Sequence, residues 1–258
     1  MDEFFDDFRA AECQKHGAYM SRRIQFPFAH KPVIWTMCKE CLRQAGEDAR
    51  AAENRHRAII RQARFRRMFG DDLVPARYRG KGFDDYVCEH EAQRKALRQV
   101  RSFADRVLTG EEGDDLILMG ATGTGKTHLA CAVVQALCDE GRVVVRVDAP
   151  RLVHLIHESW RPDARFSTQD IVAALEASDL LVIDDVSSEW ATEGIRVILG
   201  EMLKRRYERR APTLLVAIEN IRGVQAFIGD RALARAKESV RVVIFDWESH
   251  RGRLTNAP

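Results

Sequence analysis

An apolar run, Leu116-Ile-Leu-Met119, leads directly into Gly120-Ala-Thr-Gly-Thr-Gly-Lys-Thr127, which is followed by His128-Leu-Ala-Cys-Ala-Val-Val-Gln-Ala-Leu137. The first segment has the length and composition of a buried strand and the last reads as a helix. The order is therefore strand, glycine-rich loop, helix, with G-x-x-x-x-G-K-T in the loop. Such a loop closes its backbone N–H groups around phosphates, and the helix N-terminus adds a positive dipole end. The expected cradle for a nucleoside triphosphate is Gly120, Ala121, Thr122, Gly123, Thr124 and Gly125, with His128 just inside the helix. Lys126 is expected to reach the β- and γ-phosphates, and the Thr127 hydroxyl to ligate Mg²⁺.

Around this unit the pattern repeats. Strands are expected at Val143–Val147, Leu180–Ile183, Thr213–Ile218 and Val240–Phe245. Helices are expected at Glu89–Leu108, Pro150–Trp160, Ser167–Ala177, Glu193–Arg209 and Gly229–Lys237. Strands alternating with helices imply an α/β fold with a central parallel sheet covered on both faces.

The strand Leu180-Leu-Val-Ile ends in Asp184-Asp185. A carboxylate at a strand end beside a phosphate loop can hold the Mg²⁺ shell, which assigns Asp184, and Asp185 is next in line to polarise the attacking water. Asn220 follows the fourth strand. It suits a γ-phosphate sensor, with an ordinary turn asparagine as the alternative. Arg231 and Arg235 stand four apart on one helical face, as an arginine finger for a neighbouring subunit or as a solvated basic face.

The front of the chain is different. Cys13-Gln-Lys-His16 and Cys38-Lys-Glu-Cys41 are two ligand pairs of the spacing that closes a tetrahedral Zn²⁺ site. The segment between them has too few apolar residues for a core of its own, so a metal would supply the missing folding energy. Phe4, Phe5 and Phe8 lie at helical spacing among acidic residues, as in an amphipathic docking helix. Residues 42–69 read as one long helix, ended by Gly70 and Pro75. It carries eight arginines against Glu47, Asp48 and Glu53. That excess suits nucleic-acid phosphates or the solvated face of a linker. Trp160-Arg161 and Arg165-Phe166 interleave aromatics with arginines, as stacking on single-stranded DNA or plain packing would require. The expected division is a zinc-binding module at 1–41, a basic linker helix at 42–73 and the nucleotide-binding domain at 74–258.

Net charge is only +2 over 258 residues. No apolar stretch is long enough to span a membrane, and the acidic start Met1-Asp-Glu-Phe-Phe-Asp-Asp-Phe8 is not a signal peptide. A cytoplasmic protein is expected. Its six cysteines then serve as thiols or metal ligands, not disulfides. Cys131 and Cys138 read as core positions on the helix after the loop.

From Val74 to Leu254 the chain resembles the DnaC/DnaI-type replicative helicase loaders, which are AAA+ ATPases. The resemblance rests on Pro75-Ala-Arg-Tyr-Arg79, Gly82-Phe-Asp-Asp-Tyr86, Gly123-Thr-Gly-Lys-Thr-His-Leu-Ala130 and Asp179-Leu-Leu-Val-Ile-Asp-Asp185. It continues through Pro212-Thr213 and Gly229-Asp-Arg-Ala-Leu-Ala-Arg235 to Phe245-Asp-Trp-Glu-Ser-His-Arg251, the most discriminating run. The resemblance implies ATP with Mg²⁺, single-stranded DNA binding, and assembly as a spiral on the hexameric DnaB-type helicase. On that pattern Arg235 matches the arginine finger and Asn220 the sensor. The departures are Ala217-Ile-Glu before Asn220, and Asp185 where many relatives place Glu, which points to slow, switch-like hydrolysis. The zinc-like front resembles those of DnaI and of phage-borne loaders, implying a phage or prophage origin and a helicase-gripping role for residues 1–69. The related IstB-type transposition regulators, which act on double-stranded DNA, are the alternative.

Overall fold

The computed structural model describes residues 8–24, 34–70, 73–111, 115–190, 192–218, 220–236 and 240–250, without the side chains of Arg231, Arg235 and Ala236. Contacts divide the chain into two compact units, Met1–Arg57 and Ala58–Pro258.

In the first unit, β1 (Phe8–Cys13) and β2 (Gly17–Ile24) form an antiparallel hairpin, and the short β3 (Ile34–Trp35) pairs with β2. No strand is expected there from sequence. Phe8 opens β1, so the expected N-terminal helix is corrected at that residue, while Phe4 and Phe5 lie outside the described residues. The hairpin hides from periodicity because the less exposed face of β2 carries Tyr19, Ser21 and Arg23, which make no apolar alternation. Thr36 ties the sheet together. Its carbonyl accepts from Ser21 Oγ at 2.7 Å and its hydroxyl from the Arg22 N–H at 2.7 Å. Cys38 is the only buried apolar residue among the described residues up to Arg57.

Helix α1 (Lys39–Phe69) begins in the first unit and ends in the second. Arginines account for part of its charge locally, through Arg43 with Glu40 and Glu47, and Arg57 with Glu53. Its last turns are not a free linker. Phe65 and Met68 are buried, and the Gln62 amide pairs with the edge strand β5 (Val144–Asp148). Gln62 Nε2 donates to the Val144 carbonyl at 3.0 Å and its Oε1 accepts from the Val144 N–H at 3.1 Å. A side-chain amide thus satisfies a sheet edge that would otherwise offer open hydrogen bonds.

The second unit holds an all-parallel five-stranded sheet in the order β5–β6–β7–β4–β8. Its other strands are β4 (Leu116–Gly120), β6 (Leu180–Val186), β7 (Thr213–Ala217) and β8 (Arg241–Phe245). The helices are α2 (Glu91–Thr109), α3 (Lys126–Asp139), α4 (Ala149–Glu158), α5 (Thr168–Glu176), α6 (Glu193–Glu208), α7 (Ile221–Ile228) and α8 (Asp230–Ala236). The parallel sheet with two covered faces is as the sequence predicts. Strand alternation sorts the core into two layers. Leu116, Leu118, Leu214 and Val216 meet α2 and α3 on one face, while Ile117, Ile183, Leu181 and Leu215 meet the remaining helices on the other. In this unit, helix α7 is the α-helix sequence reading misses. It has two turns, contains Gly223, and buries Val224, Phe227 and Ile228.

Among the described residues, Arg206 is the largest fully buried side chain. Its Nη1 donates to the Leu175 carbonyl at 2.6 Å and to Ser178 Oγ at 3.0 Å, Nη2 to the Pro212 carbonyl at 2.6 Å, and Nε to Thr213 Oγ1 at 3.2 Å. Burial lowers its pKa to about 10, so it keeps its charge at neutral pH. Arg206→Met leaves these carbonyls buried without donors, and urea unfolding should show a loss of about 3 kcal/mol. An unchanged midpoint would mean that the cluster rearranges without cost.

Candidate nucleotide site and metal cluster

The site lies where the sheet's strands end. Strand β4 stops at Gly120, and the loop runs to Gly125, the left-handed N-cap of α3. Two glycines are sterically required. A Cβ on Gly120, at φ +146°, would sit 2.2 Å from the Phe245 carbonyl oxygen, and one on Gly125 would sit 2.6 Å from the Tyr86 ring. The loop is clamped by the segment after β8. Trp247 Nε1 donates to the Thr124 carbonyl at 2.9 Å, and the His250 N–H donates to the Gly123 carbonyl at 3.0 Å. The Tyr86 hydroxyl reaches the same Thr124 carbonyl at 3.3 Å, and Thr124 Oγ1 donates to Ala121 O at 2.8 Å. The discriminating C-terminal run of the sequence is therefore part of this loop's wall. Lys126 is buried, and its Nζ donates to the Gly120 and Ala121 carbonyls at 2.6 and 2.7 Å.

Strand β6 brings two carboxylates to the same cleft. Asp184 is buried, and its Oδ1 accepts from Thr127 Oγ1 at 3.4 Å and from the Asp185 N–H at 3.0 Å. Register slips by one residue here: Ile183 faces Leu215, but Val186 faces Ala217. This bulge places Asp185 in the left-handed region, at φ +54°, where a non-glycine residue is strained. Burial pushes the Asp185 carboxyl above its ordinary range, and the Asp184 and Asp148 charges add to this. Against Asp184 lies Arg146 of β5, a buried arginine. Its Nη2 donates to Asp184 Oδ2 at 2.7 Å and to Asp148 Oδ1 at 2.8 Å.

The cleft spans about 1650 Å³, part of it open solvent, and Thr122, Gly123, Gly125, Lys126, Thr127, His128, Asp184 and Asp185 line it together. The His128 ring packs between Tyr78 and Tyr86, with centroids at 5.8 and 5.5 Å, and burial draws its pKa down. Asn220 is not brought to the cleft wall. Its Oδ1 caps α7 by accepting the Arg222 N–H at 2.9 Å. The side chains of Arg231 and Arg235 lie outside the described residues. Sequence reading misses Arg77, Arg146, Asp148 and His250 as cleft residues. Arg146 had a signal: it is the one charge in the apolar run Val143-Val-Val-Arg-Val147.

In the first unit Cys13, His16, Cys38 and Cys41 converge, with ligand atoms all within 4.8 Å of one another. Cys13 Sγ lies 3.6 Å from both His16 Nδ1 and Cys41 Sγ, and His16 Nδ1 lies 3.4 Å from the sulfurs of Cys38 and Cys41. A zinc tetrahedron with sulfur at about 2.3 Å has edges of about 3.8 Å, close to these separations. A hydrogen bond from the Lys15 backbone draws the Cys13 thiol down to about 6, whereas sharing protons with Cys38 and Cys13 pushes Cys41 up to about 11. The thiols do not ionise together unaided, and a cation would let them. The donor set fits zinc.

The sequence profile of the "IstB-like ATP binding protein" family matches residues 52–242. The replicative helicase loader DnaC of Escherichia coli K12 is 26% identical over 89% of each chain, and the uncharacterised protein YdaV of the same strain is 29% identical over 74% of this chain and 76% of its own. Among solved structures, a DnaC helicase loader superposes with a TM-score of 0.54 and 23% identity over 66% of this chain and 99% of its own. A DnaI structure superposes with a TM-score of 0.53 and 19% identity over 69% and 95%. A nucleotide-bound DnaA of Aquifex aeolicus gives 0.55 and 18% over 67% of this chain and 51% of its own, which shows the shared AAA+ fold. The chain belongs to the IstB-like family of ATP-binding proteins, built on the AAA+ P-loop fold and related in sequence to the DnaC helicase loaders.

Proposed function

We propose that this protein is an ATP-controlled adaptor that binds a replicative hexameric helicase of the DnaB type and delivers it to single-stranded DNA in the cytoplasm. The observation that carries this reading is the similarity to a named helicase loader over 89% of both chains, which extends beyond the nucleotide domain.

Within that reading, Lys126 and the loop Gly120–Gly125 hold the triphosphate. Thr127 and Asp184 are the residues that would hold Mg²⁺, which when bound neutralises charge on the β- and γ-phosphates. Asp185 orients water. Its carboxylate is one methylene shorter than glutamate and sits on a strained backbone, which supports slow hydrolysis used as a switch. Arg235 would complete the site of a neighbouring subunit in a spiral. Asn220 would have to release its helix cap to sense phosphate. The zinc-bound front would grip the helicase. For DNA, a surface cleft lined by Arg67, Arg151, Arg161 and Arg165 offers phosphate contacts, with Trp160 exposed beside it for stacking.

Co-purification of the full chain with the host's replicative helicase, with ATP present, should give a stable complex. Recovery of no complex, together with cooperative coating of double-stranded DNA, would replace this reading with the transposition-regulator one.

A further inference from the structure

Two buried arginines in this unit are satisfied very differently. Every nitrogen of Arg206 has a partner among carbonyls and hydroxyls. Arg146 instead puts one nitrogen, Nη2, against two carboxylates, Asp148 and Asp184, and its buried Nε has no hydrogen-bond partner among the described residues. A purely structural ion pair gains little from such an arrangement, because the desolvation of the guanidinium is incompletely offset. The position of Arg146 is therefore informative. Register places Asp148 beside Asp184 across neighbouring strands, and Arg146 reaches both from two residues before Asp148. It occupies Oδ2 of Asp184, while Oδ1 faces the Thr127 hydroxyl. Lys126 and Asp185 are the other charged groups of the phosphate loop and β6 end that line this part of the cleft.

We propose that Arg146 is a built-in countercharge for Asp184 that sets the divalent-cation requirement of the nucleotide site, and that Asp148 tunes it by sharing the same guanidinium. Arg146 is thus a positioning residue. It fixes the Asp184 carboxylate through Oδ2, leaves Oδ1 toward Thr127, and weakens cation binding until a triphosphate brings its own negative charge. Asp148 is half-exposed and draws on the same nitrogen, so it moderates the hold on Asp184. This inference rests on the assignment of Asp184 to the Mg²⁺ shell.

The test is a Mg²⁺ titration of fluorescent ATP-analogue binding by the full chain, which reads the half-saturating Mg²⁺ concentration and not turnover. Arg146→Gln, which removes the charge and keeps a donor, should lower that concentration about tenfold, since a nearby opposite charge shifts a carboxylate's proton affinity by a comparable factor. Asp148→Asn should raise it severalfold, because Arg146 then serves Asp184 alone. Arg146→Lys should stay near the parent value. Opposite shifts from two neighbours are not what general destabilisation produces, and circular dichroism checks folding. If Arg146→Gln does not fold, the rise in Asp148→Asn decides. Variants that leave a Mg²⁺-dependent parent unshifted, or shift it in one direction, overturn this inference alone. A parent protein whose nucleotide affinity ignores Mg²⁺ overturns the metal-site assignment with it.

Discussion

Lys126→Ala should reduce ATP affinity by about 100-fold or more, because one charge-assisted contact to phosphate is worth about 3 kcal/mol in a partly buried site. The structure sharpens the reason. Lys126 is buried with its Nζ against the Gly120 and Ala121 carbonyls, so it already sits inside the loop that ATP must enter. Triphosphate binding would exchange those carbonyls for phosphate oxygens and keep the ammonium paired. Alanine removes the charge and frees the two carbonyls, while the clamps from Trp247, His250 and Tyr86 remain. The fold should therefore survive. Titration with a fluorescent ATP analogue, alongside thermal melting, separates the two effects. Unchanged affinity in a folded variant would remove the basis of the site.

The second large effect concerns the first unit. Its described residues bury one apolar side chain, Cys38, and that residue is one of the four that could hold a metal ion. With no hydrophobic core among its described residues, this unit would take its stability from elsewhere, and structural zinc binding supplies roughly 10–16 kcal/mol in comparably small modules. Purified protein should contain about one zinc per chain. Strong chelation, or Cys41→Ser, should unfold the hairpin, seen as loss of amide protection across β1 and β2, and leave ATP binding in the second unit intact. A metal content of zero, with protection retained, would show that hydrogen bonds through Thr36 hold this sheet alone.

The nucleotide domain was legible because its strands are apolar runs buried on both faces, and because glycine, lysine and aspartate fall at fixed places between strand and helix. The convergence of Cys13, His16, Cys38 and Cys41 was legible from their spacing. The hairpin that brings Cys13 and His16 together was not, since its less exposed face carries Tyr19, Ser21 and Arg23 and so shows no apolar alternation. Helix α7 escaped because eight residues containing glycine give too short a period. Asn220 illustrates a real ambiguity. The same asparagine after a strand suits a phosphate sensor or a helix cap, and the cap is what its side chain makes. Arg146 and Gln62 depend on contacts between elements far apart in sequence, which local pattern does not encode.

The clamp on the phosphate loop has a consequence for how the protein is made. Lys126, Thr127 and Asp184 all precede β8 in the chain, yet Gly120 packs on Phe245 and the loop carbonyls are held by Trp247 and His250. On the ribosome, a growing chain therefore carries the proposed phosphate and Mg²⁺ residues Lys126, Thr127 and Asp184 well before it carries the wall that shapes them. Nascent or prematurely terminated chains should not capture ATP, so nucleotide occupancy marks a domain whose synthesis has passed the last strand.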